Sequence, residues 1–133
     1  MEARISIIGL GVGDLKRSVA FYRDGLELPL REPANDSIAF FETSGTWLAL
    51  SPREALAQDA NVPHEGHGFP GFSLAHNVKT VEEVDAILRQ AADAGGKIIK
   101  KAGKTSWGGY SGYFSDPDGF LWEVAWNPHF WIE

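Results

Sequence analysis

Glu123 is the residue whose type and setting most clearly could do chemistry. It stands inside the apolar run FLWEV at residues 120–124. A carboxylate in such surroundings could act as a general base, or could hold a cationic or hydroxyl-bearing ligand. The alternative is a structural acid paired with a basic or amide side chain, because buried acids usually have a hydrogen-bond partner. Both interpretations stay open.

The segment KTSWGGYSGYF at residues 104–114 is the second candidate. Its glycines allow a tight and mobile path, so that Trp107 and Tyr110 could close over a ligand while Lys104 binds an acidic group. The alternative is a hairpin-like entry whose aromatic side chains pack at a dimer contact, since aromatic residues are favoured in both settings.

The four histidines are weaker candidates for a functional site. His64 and His67 have the spacing H-x-x-H with Glu65 between them, but a histidine pair on a flexible linker binds metal weakly unless rigid neighbours complete the site. The simpler interpretation is a solvated linker. Strand alternation directs His76 toward a covering helix, where we expect a partly buried and hydrogen-bonded ring. Nothing in the sequence suggests chemistry for His129.

Composition excludes several function classes. The chain has 133 residues and no cysteine, which excludes a disulfide framework, a thiolate zinc site and a cysteine nucleophile. A formal net charge of −6 argues against nucleic-acid binding, which needs a basic face. The N-terminus lacks the basic start and long apolar core of a secretory signal, and no run is long enough to cross a bilayer. We therefore expect a cytoplasmic protein that binds neither membrane nor nucleic acid.

The elements that must position these residues form a first series in residues 4–51. Residues 4–12 read as a strand, and Asp14 then stands where a helix N-cap belongs. Apolar residues at helical spacing follow as far as Gly25, which offers a stop. Two further strands are predicted at residues 37–41 and 46–50.

A second series repeats the first. Residues 72–78 read as a strand, and Thr80 with Glu83 forms a capping box before a helix that ends at the glycine pair 95–96. Strands are predicted at 112–114 and 121–125, joined by the DPDG turn at 116–119.

The two series align as an internal repeat. Val12 and Val78 are 66 residues apart, and Gly45 and Gly119 are 74 apart. The sequence therefore predicts an α+β domain of two paired βαβββ modules, at about 4–51 and 71–128, with residues 52–70 as a polar linker. A helix would cover one face of each sheet, leaving the other face for the partner half, another subunit or a ligand.

Two segments of the chain resemble a known family. LGVGDLKRSVAFYRDGL at residues 10–26 and GYFSDPDGFLWEVAWNP at 112–128 are similar to the vicinal-oxygen-chelate superfamily, which includes glyoxalase I, bleomycin-resistance proteins and extradiol dioxygenases. The resemblance covers nearly the whole chain. It implies modules whose mixed sheets curve around a cavity, with helices on the outer face, usually in a homodimer.

The resemblance also implies a divalent metal held by four side chains. In this sequence the four positions are Ile7, Ala49, Ser73 and Glu123. Ile and Ala offer no lone pair and a neutral Ser is a feeble ligand, so one carboxylate would be left to compete with water. We therefore predict no metal at this site and no cofactor. Glyoxalase I and dioxygenase activities, which rest on the metal, are not expected.

Strand alternation predicts a mostly apolar pocket for a small molecule. The predicted ligand-binding residues are Ile7, Trp47, Ala49, Ser73, Trp107, Tyr110, Leu121 and Glu123. The first functional hypothesis is a binding protein that shelters a metabolite or antibiotic. The second is a metal-independent lyase or isomerase with Glu123 as acid or base. A third is a subunit whose main role is dimeric interaction.

Overall fold

The computed structural model describes residues 1–132. The chain divides into two compact units, Met1–Gly68 and a second that begins at Phe69. Both units contain helices and a sheet, three-stranded in the first and four-stranded in the second, so the predicted α+β class is confirmed. Within the described residues, every helix is too short or too polar to span a bilayer.

The first unit contains a sheet of three strands. These are β1 (Ile7–Val12), β2 (Ala39–Phe41) and β3 (Trp47–Pro52), in the order β1-β3-β2. β3 runs parallel to β1 and antiparallel to β2. Between β1 and β2 lies helix α1 (Leu15–Ala20), continued by a π-helical turn at Phe21–Gly25. An isolated antiparallel bridge joins Leu30, before β2, to Phe41.

The N-cap predicted for α1 is confirmed. The Asp14 carboxylate accepts the backbone N–H of Arg17 at 3.1 Å, which satisfies one of the free donors of the first turn. The helix then packs on the sheet through a core in which Tyr22, Leu10 and Phe41 are fully buried.

Part of the segment predicted as a polar linker, residues 52–70, is helical. Helix α2 (Arg53–Ala60) directly follows β3 and packs against β1 and β3. Its start lies so close to β1 that a side chain at Gly11 would meet the Arg53 Cα at 3.1 Å. Ala57 is its one buried residue, so the helix has almost no apolar stripe by which a sequence pattern could reveal it.

The second unit contains a sheet of four strands. These are β4 (Leu74–Val78), β5 (Lys97–Lys104), β6 (Tyr110–Ser115) and β7 (Leu121–Trp126), in the order β4-β7-β6-β5. β4 and β7 are parallel, whereas β5–β6 and β6–β7 are antiparallel. The segment 104–114, predicted to follow a tight and mobile path, is mostly strand, because β5 and β6 leave only residues 105–109 between them.

Helix α3 (Val81–Asp93) covers one face of this sheet. Its predicted capping box is confirmed, because the Thr80 hydroxyl accepts the Glu83 N–H at 3.2 Å and the Glu83 carboxylate accepts the Thr80 N–H at 2.9 Å. Val84 and Leu88 of α3 are buried with Phe114 and Val124 of the sheet.

Strand register reproduces the internal repeat. Gly9 of β1 pairs with Ala49 of β3, and Ala75 of β4 pairs with Glu123 of β7. The first members of the two pairs are 66 residues apart and the second members 74 apart, which are the two offsets that the sequence predicted. The repeat is therefore confirmed at the level of individual strand pairs.

Candidate functional site

A cavity of about 250 Å³ lies against β5, β6 and β7 of the second unit. We call it the β5–β7 cavity. Three lysines, several hydroxyl groups, one tryptophan ring and one carboxylate contribute to its walls. The lining residues are Lys100, Lys101, Gly103, Lys104, Thr105, Ser106, Trp107, Ser111, Tyr113 and Glu123. This cavity is polar, in contrast to the apolar pocket that the sequence analysis predicted.

The cavity lies on the sheet face opposite α3. Gly112 shows which face is which, because a Cβ built there would lie 2.6 Å from the Leu88 Cδ1 of α3. Alternation along β6 then directs Ser111 and Tyr113 to the other face. Tyr113 pairs directly with Glu123 of β7, and both side chains line the cavity.

Tyr113 and Glu123 act as a pair. Burial raises the pKa of the Tyr113 phenol, and the nearby Glu123 charge and the hydrogen bond between the two side chains raise it further. The phenol is therefore neutral near pH 7 and donates to the carboxylate. A carboxylate can accept more than one donor, so Glu123 keeps acceptor capacity for a ligand.

Irregularities in β5 shape the cationic wall. The register shifts between Ile98 and Lys100, so that Lys100 rather than Ile99 lies opposite Tyr113. It shifts again before Gly103, which pairs with Ser111. Each shift inserts an extra residue and redirects the side chains that follow it. No strand was predicted over residues 97–104, so Lys100 and Lys101 were not among the predicted site residues.

All three lysines of the cavity are exposed at the surface of the unit. Within residues 1–132, none of the Lys100, Lys101 and Lys104 ammonium groups forms a salt bridge. Their charge is therefore available to a ligand, and Glu123 is the only carboxylate among the lining residues of this cavity.

The turn between β5 and β6 supplies the aromatic wall. The Thr105 N–H donates to the Gly109 carbonyl at 3.0 Å, and the Gly109 N–H donates to the Thr105 hydroxyl at 2.9 Å. The Trp107 ring lies against the backbone at Gly109, since a Cβ built there would be 2.0 Å from the ring atom Cζ3. Trp107 is 41% exposed, which leaves part of the ring open to the cavity.

Tyr110 does not line the β5–β7 cavity. It pairs with Trp126 on β7, and its hydroxyl donates to the Asp85 carboxylate of α3 at 2.8 Å. This hydrogen bond, with burial and the Asp85 charge, raises the pKa of Tyr110. The structure thus brings Trp107 and Glu123 to one cavity and directs Tyr110 to the helix side of the sheet. Tyr110 points to the helix side because it is the first residue of β6, where strand pairing rather than a loop sets its direction.

The remaining predicted site residues lie outside this cavity. In the first unit, Ile7 pairs in register with Trp47, and Ile7 is 48% exposed whereas Ala49 is buried. The Arg31 guanidinium lies 5.1 Å from the centre of the Trp47 ring. In the second unit, Ser73 is exposed just before β4, and Leu121 begins β7 half-buried.

The donor set does not fit the metal site that the family resemblance implies. Ile7 and Ala49 carry no donor atom, and residues 1–132 contain no group of three or more His, Asp or Glu side chains placed to hold a metal. His64 has one acidic neighbour, with 3.5 Å between its Nε2 and the Glu65 carboxylate. His76 is exposed, so the prediction of a partly buried ring is wrong.

Comparison with known proteins gives consistent results. Residues 4–124 match the model of the Glyoxalase/Bleomycin resistance protein/Dioxygenase superfamily. The metallothiol transferase FosB of Shouchella clausii is 30% identical over 124 residues, covering 90% of this chain and 77% of that protein. The uncharacterized protein YraH of Bacillus subtilis is 32% identical over 122 residues, covering 88% and 93%. The crystal structure of a glyoxalase-related enzyme from Fulvimarina pelagi is 34% identical, with a TM-score of 0.90 over 98% of this chain and 93% of that one.

Proposed function

This chain belongs to the Glyoxalase/Bleomycin resistance protein/Dioxygenase superfamily, and on that basis we propose that it binds a small organic anion in the β5–β7 cavity without a metal. The observation that carries the proposal is the wall of three lysines beside hydroxyl groups and one aromatic ring. The ligand class is a metabolite or antibiotic that bears a carboxylate or another acidic group.

Charge supports an acidic ligand. The cavity has three ammonium groups against one carboxylate, in a chain whose formal net charge is −6. A locally positive site on an acidic protein gives an anion one preferred place to approach. A single charge pair at about 4 Å is worth about 1 kcal/mol in bulk water and more where water is excluded.

Polar and aromatic groups would orient the ligand. The Ser111 hydroxyl and the Thr105 hydroxyl are within the lining, and the part of the Trp107 ring that is open offers a flat surface for stacking or apolar contact. Such a combination of a few polar groups and an aromatic wall is typical of small-molecule sites. A cavity of about 250 Å³ suits a molecule of about the size of a single substituted ring.

The donor chemistry is the reason why we propose a metal-free protein. A transition metal needs several nitrogen, oxygen or sulfur ligands in fixed geometry. Of the four positions that the family resemblance implies, three carry Ile, Ala and Ser, and only Glu123 carries a strong ligand. The relative FosB is named a metallothiol transferase, so this chain would differ from that relative in lacking the metal-binding side chains.

A second candidate function rests on the Tyr113–Glu123 pair. Glu123 could accept a proton from a substrate bound beside it, and the neutral Tyr113 phenol could return a hydrogen bond to the developing charge. This would make the protein a metal-independent lyase or isomerase. The pair is an acid–base arrangement in which the phenol lies beside the carboxylate on the adjacent strand, which a purely passive cavity does not need.

A binding assay tests the first proposal. We would titrate small aromatic and aliphatic carboxylates, and their neutral amides, into the protein and measure heat and thermal shift. The proposal expects carboxylates to bind and amides to bind at least about tenfold more weakly. A matched pair of variants is K100Q and K97Q: both lysines lie on β5, but Lys97 does not line the cavity. Equal binding of carboxylates and amides, or equal effects of the two variants, would contradict the proposal.

The variant E123Q separates the two functions. A binder retains its affinity or gains some, because a negative charge beside an anion is removed. An enzyme that uses Glu123 as its base loses turnover while it still binds substrate. Turnover by the wild-type protein that disappears in E123Q at unchanged affinity would overturn the pure binding protein.

We also propose a cytoplasmic homodimer. Its support is the family resemblance together with exposed apolar side chains such as Ile5 at 67% and Ile7 at 48%, since apolar surface of this kind is often covered by a partner. Light scattering after gel filtration measures the mass directly. A monomer at micromolar concentration would remove this part of the proposal, including the third hypothesis of a purely dimeric interaction role.

A further inference from the structure

We infer that His129 is a positioning residue that fixes the Trp107 wall of the β5–β7 cavity, so that the C-terminal segment 127–132 is part of the binding site's construction. The inference rests on the proposed function, because it concerns the wall of the same cavity. The sequence offered no role for His129, and the residue lies 22 positions from Trp107 along the chain.

The contact itself is short and directional. The Nε2 atom of His129 lies 2.7 Å from the backbone carbonyl oxygen of Trp107. A carbonyl can only accept, so Nε2 carries the hydrogen and donates it. The backbone N–H of His129 in turn donates to the Asn127 side chain at 2.8 Å, which fixes the chain direction directly after β7.

The imidazole also packs on the turn that it holds. A Cβ built at Gly108 would lie 3.4 Å from the His129 Nε2 and 3.8 Å from its Cε1. Gly108 has a φ of +95°, a backbone conformation that side chains rarely adopt. The backbone conformation favours glycine at this position, and the imidazole lies within van der Waals contact of it.

Trp107 is held at two ends. Its ring lies against Gly109, where a Cβ would be 2.3 Å from the ring atom Cη2 and 2.6 Å from the Trp126 carbonyl oxygen. Its carbonyl group receives the bond from His129. The bonds within the turn involve Thr105, Gly108 and Gly109, so His129 supplies a contact to Trp107 from outside the turn.

A second contact keeps the C-terminal segment in place. The Lys79 ammonium group lies 5.2 Å from the centre of the Trp131 ring, within the range of a cation–π interaction. Lys79 stands between β4 and α3, so Trp131 contacts a part of the unit outside the segment, beyond His129 along the chain.

Holding Trp107 in place should strengthen ligand binding, because immobilising a side chain on binding costs free energy. A ligand that meets a preformed wall does not have to immobilise the Trp107 side chain itself, whereas a ligand of the variant H129A would. We expect H129A to bind a small carboxylate about three- to tenfold more weakly than the wild-type protein. H129Q should recover most of the affinity, because its side-chain amide can donate to the same carbonyl.

The first measurement needs no ligand and tests the inference by itself. Hydrogen exchange of the Gly108 and Gly109 amides is compared in the wild type, H129A, H129Q and the control H76A, whose histidine is exposed on β4. We expect exchange about five- to tenfold faster in H129A only. Unchanged exchange in H129A, or H129Q as fast as H129A, would overturn the inference, whatever the protein binds.

The second measurement uses benzoate as the probe, with calorimetric titration of the same four proteins. Weaker binding in H129A, with recovery in H129Q, supports the inference. Equal affinity in all four proteins overturns it. If benzoate fails to bind the wild type while the exchange rates behave as expected, it is the proposed anion site that fails and not the role of His129 in holding the turn. Circular dichroism melting of each variant shows that the fold is intact.

Discussion

The variant G109A tests the packing that holds the cavity's aromatic wall. A methyl group at this position would lie 2.0 Å and 2.3 Å from two atoms of the Trp107 ring and 2.6 Å from the Trp126 carbonyl oxygen. The ring can rotate away, but the carbonyl belongs to the backbone of β7 and cannot yield without straining the sheet. The change therefore both displaces Trp107 and distorts the β6–β7 pairing.

The magnitude follows from the same contacts. Overpacking of this kind costs about 1–3 kcal/mol, and replacing glycine by alanine returns about 0.5 kcal/mol by restricting the unfolded chain. A net loss of about 0.5–2.5 kcal/mol lowers the melting temperature of a domain of this size by about 2–10 °C. The affinity for the carboxylate probe should fall as well, since the ring no longer lines the cavity.

The assay compares G109A with G103A by calorimetric melting. Gly103 also lines the cavity, yet a Cβ built there meets nothing within 4 Å. G103A should therefore melt at the wild-type temperature or slightly above it. If G109A melted within about 1 °C of the wild type, the claim that close packing of Trp107 on the Gly109 backbone holds the aromatic wall would be refuted.

Three further predictions follow from individual contacts. T80A removes the capping box with Glu83 and should destabilise the fold by about 1 kcal/mol, measured by urea unfolding, with T80S near the wild type. The pKa of Tyr113 is raised in the folded state, so the phenol contributes fully to stability below its unfolded pKa near 10, and this contribution is lost as the pH rises above that value. Y113F should therefore lose less melting temperature at alkaline pH than the wild type. An unchanged dependence of melting temperature on pH would contradict this. K104Q should weaken the probe about threefold to tenfold at low salt and less at high salt, whereas an effect independent of ionic strength would speak against a charge contact.

Local signals in the sequence were sufficient for most of the fold. Asp14 and Thr80 mark helix starts by side-chain chemistry that acts within one turn, and both caps form as predicted. The predicted offsets of 66 and 74 residues recur between the strand pair Gly9–Ala49 and its counterpart Ala75–Glu123. Helix α2 was missed because its residues are almost all exposed, so no apolar periodicity marks it.

The cavity was predicted less completely, because its walls depend on strand irregularities and on contacts between residues that are far apart in the sequence. Glu123 and Trp107 were identified from their surroundings in the sequence. Lys100 was missed because no strand was predicted over residues 97–104, and nothing in the run KIIKK shows where a strand will bulge. The contact of His129 with Trp107 joins positions far apart in the chain, which a pattern of neighbouring residues does not encode.

The most direct test of the central claim is a calorimetric titration of benzoate into the protein before and after exhaustive treatment with EDTA, with metal content measured on the same samples. The account predicts the same affinity in both titrations, with no stoichiometric transition metal, and weaker binding in K100Q. Binding that is lost with EDTA and restored by one equivalent of a divalent metal would contradict it.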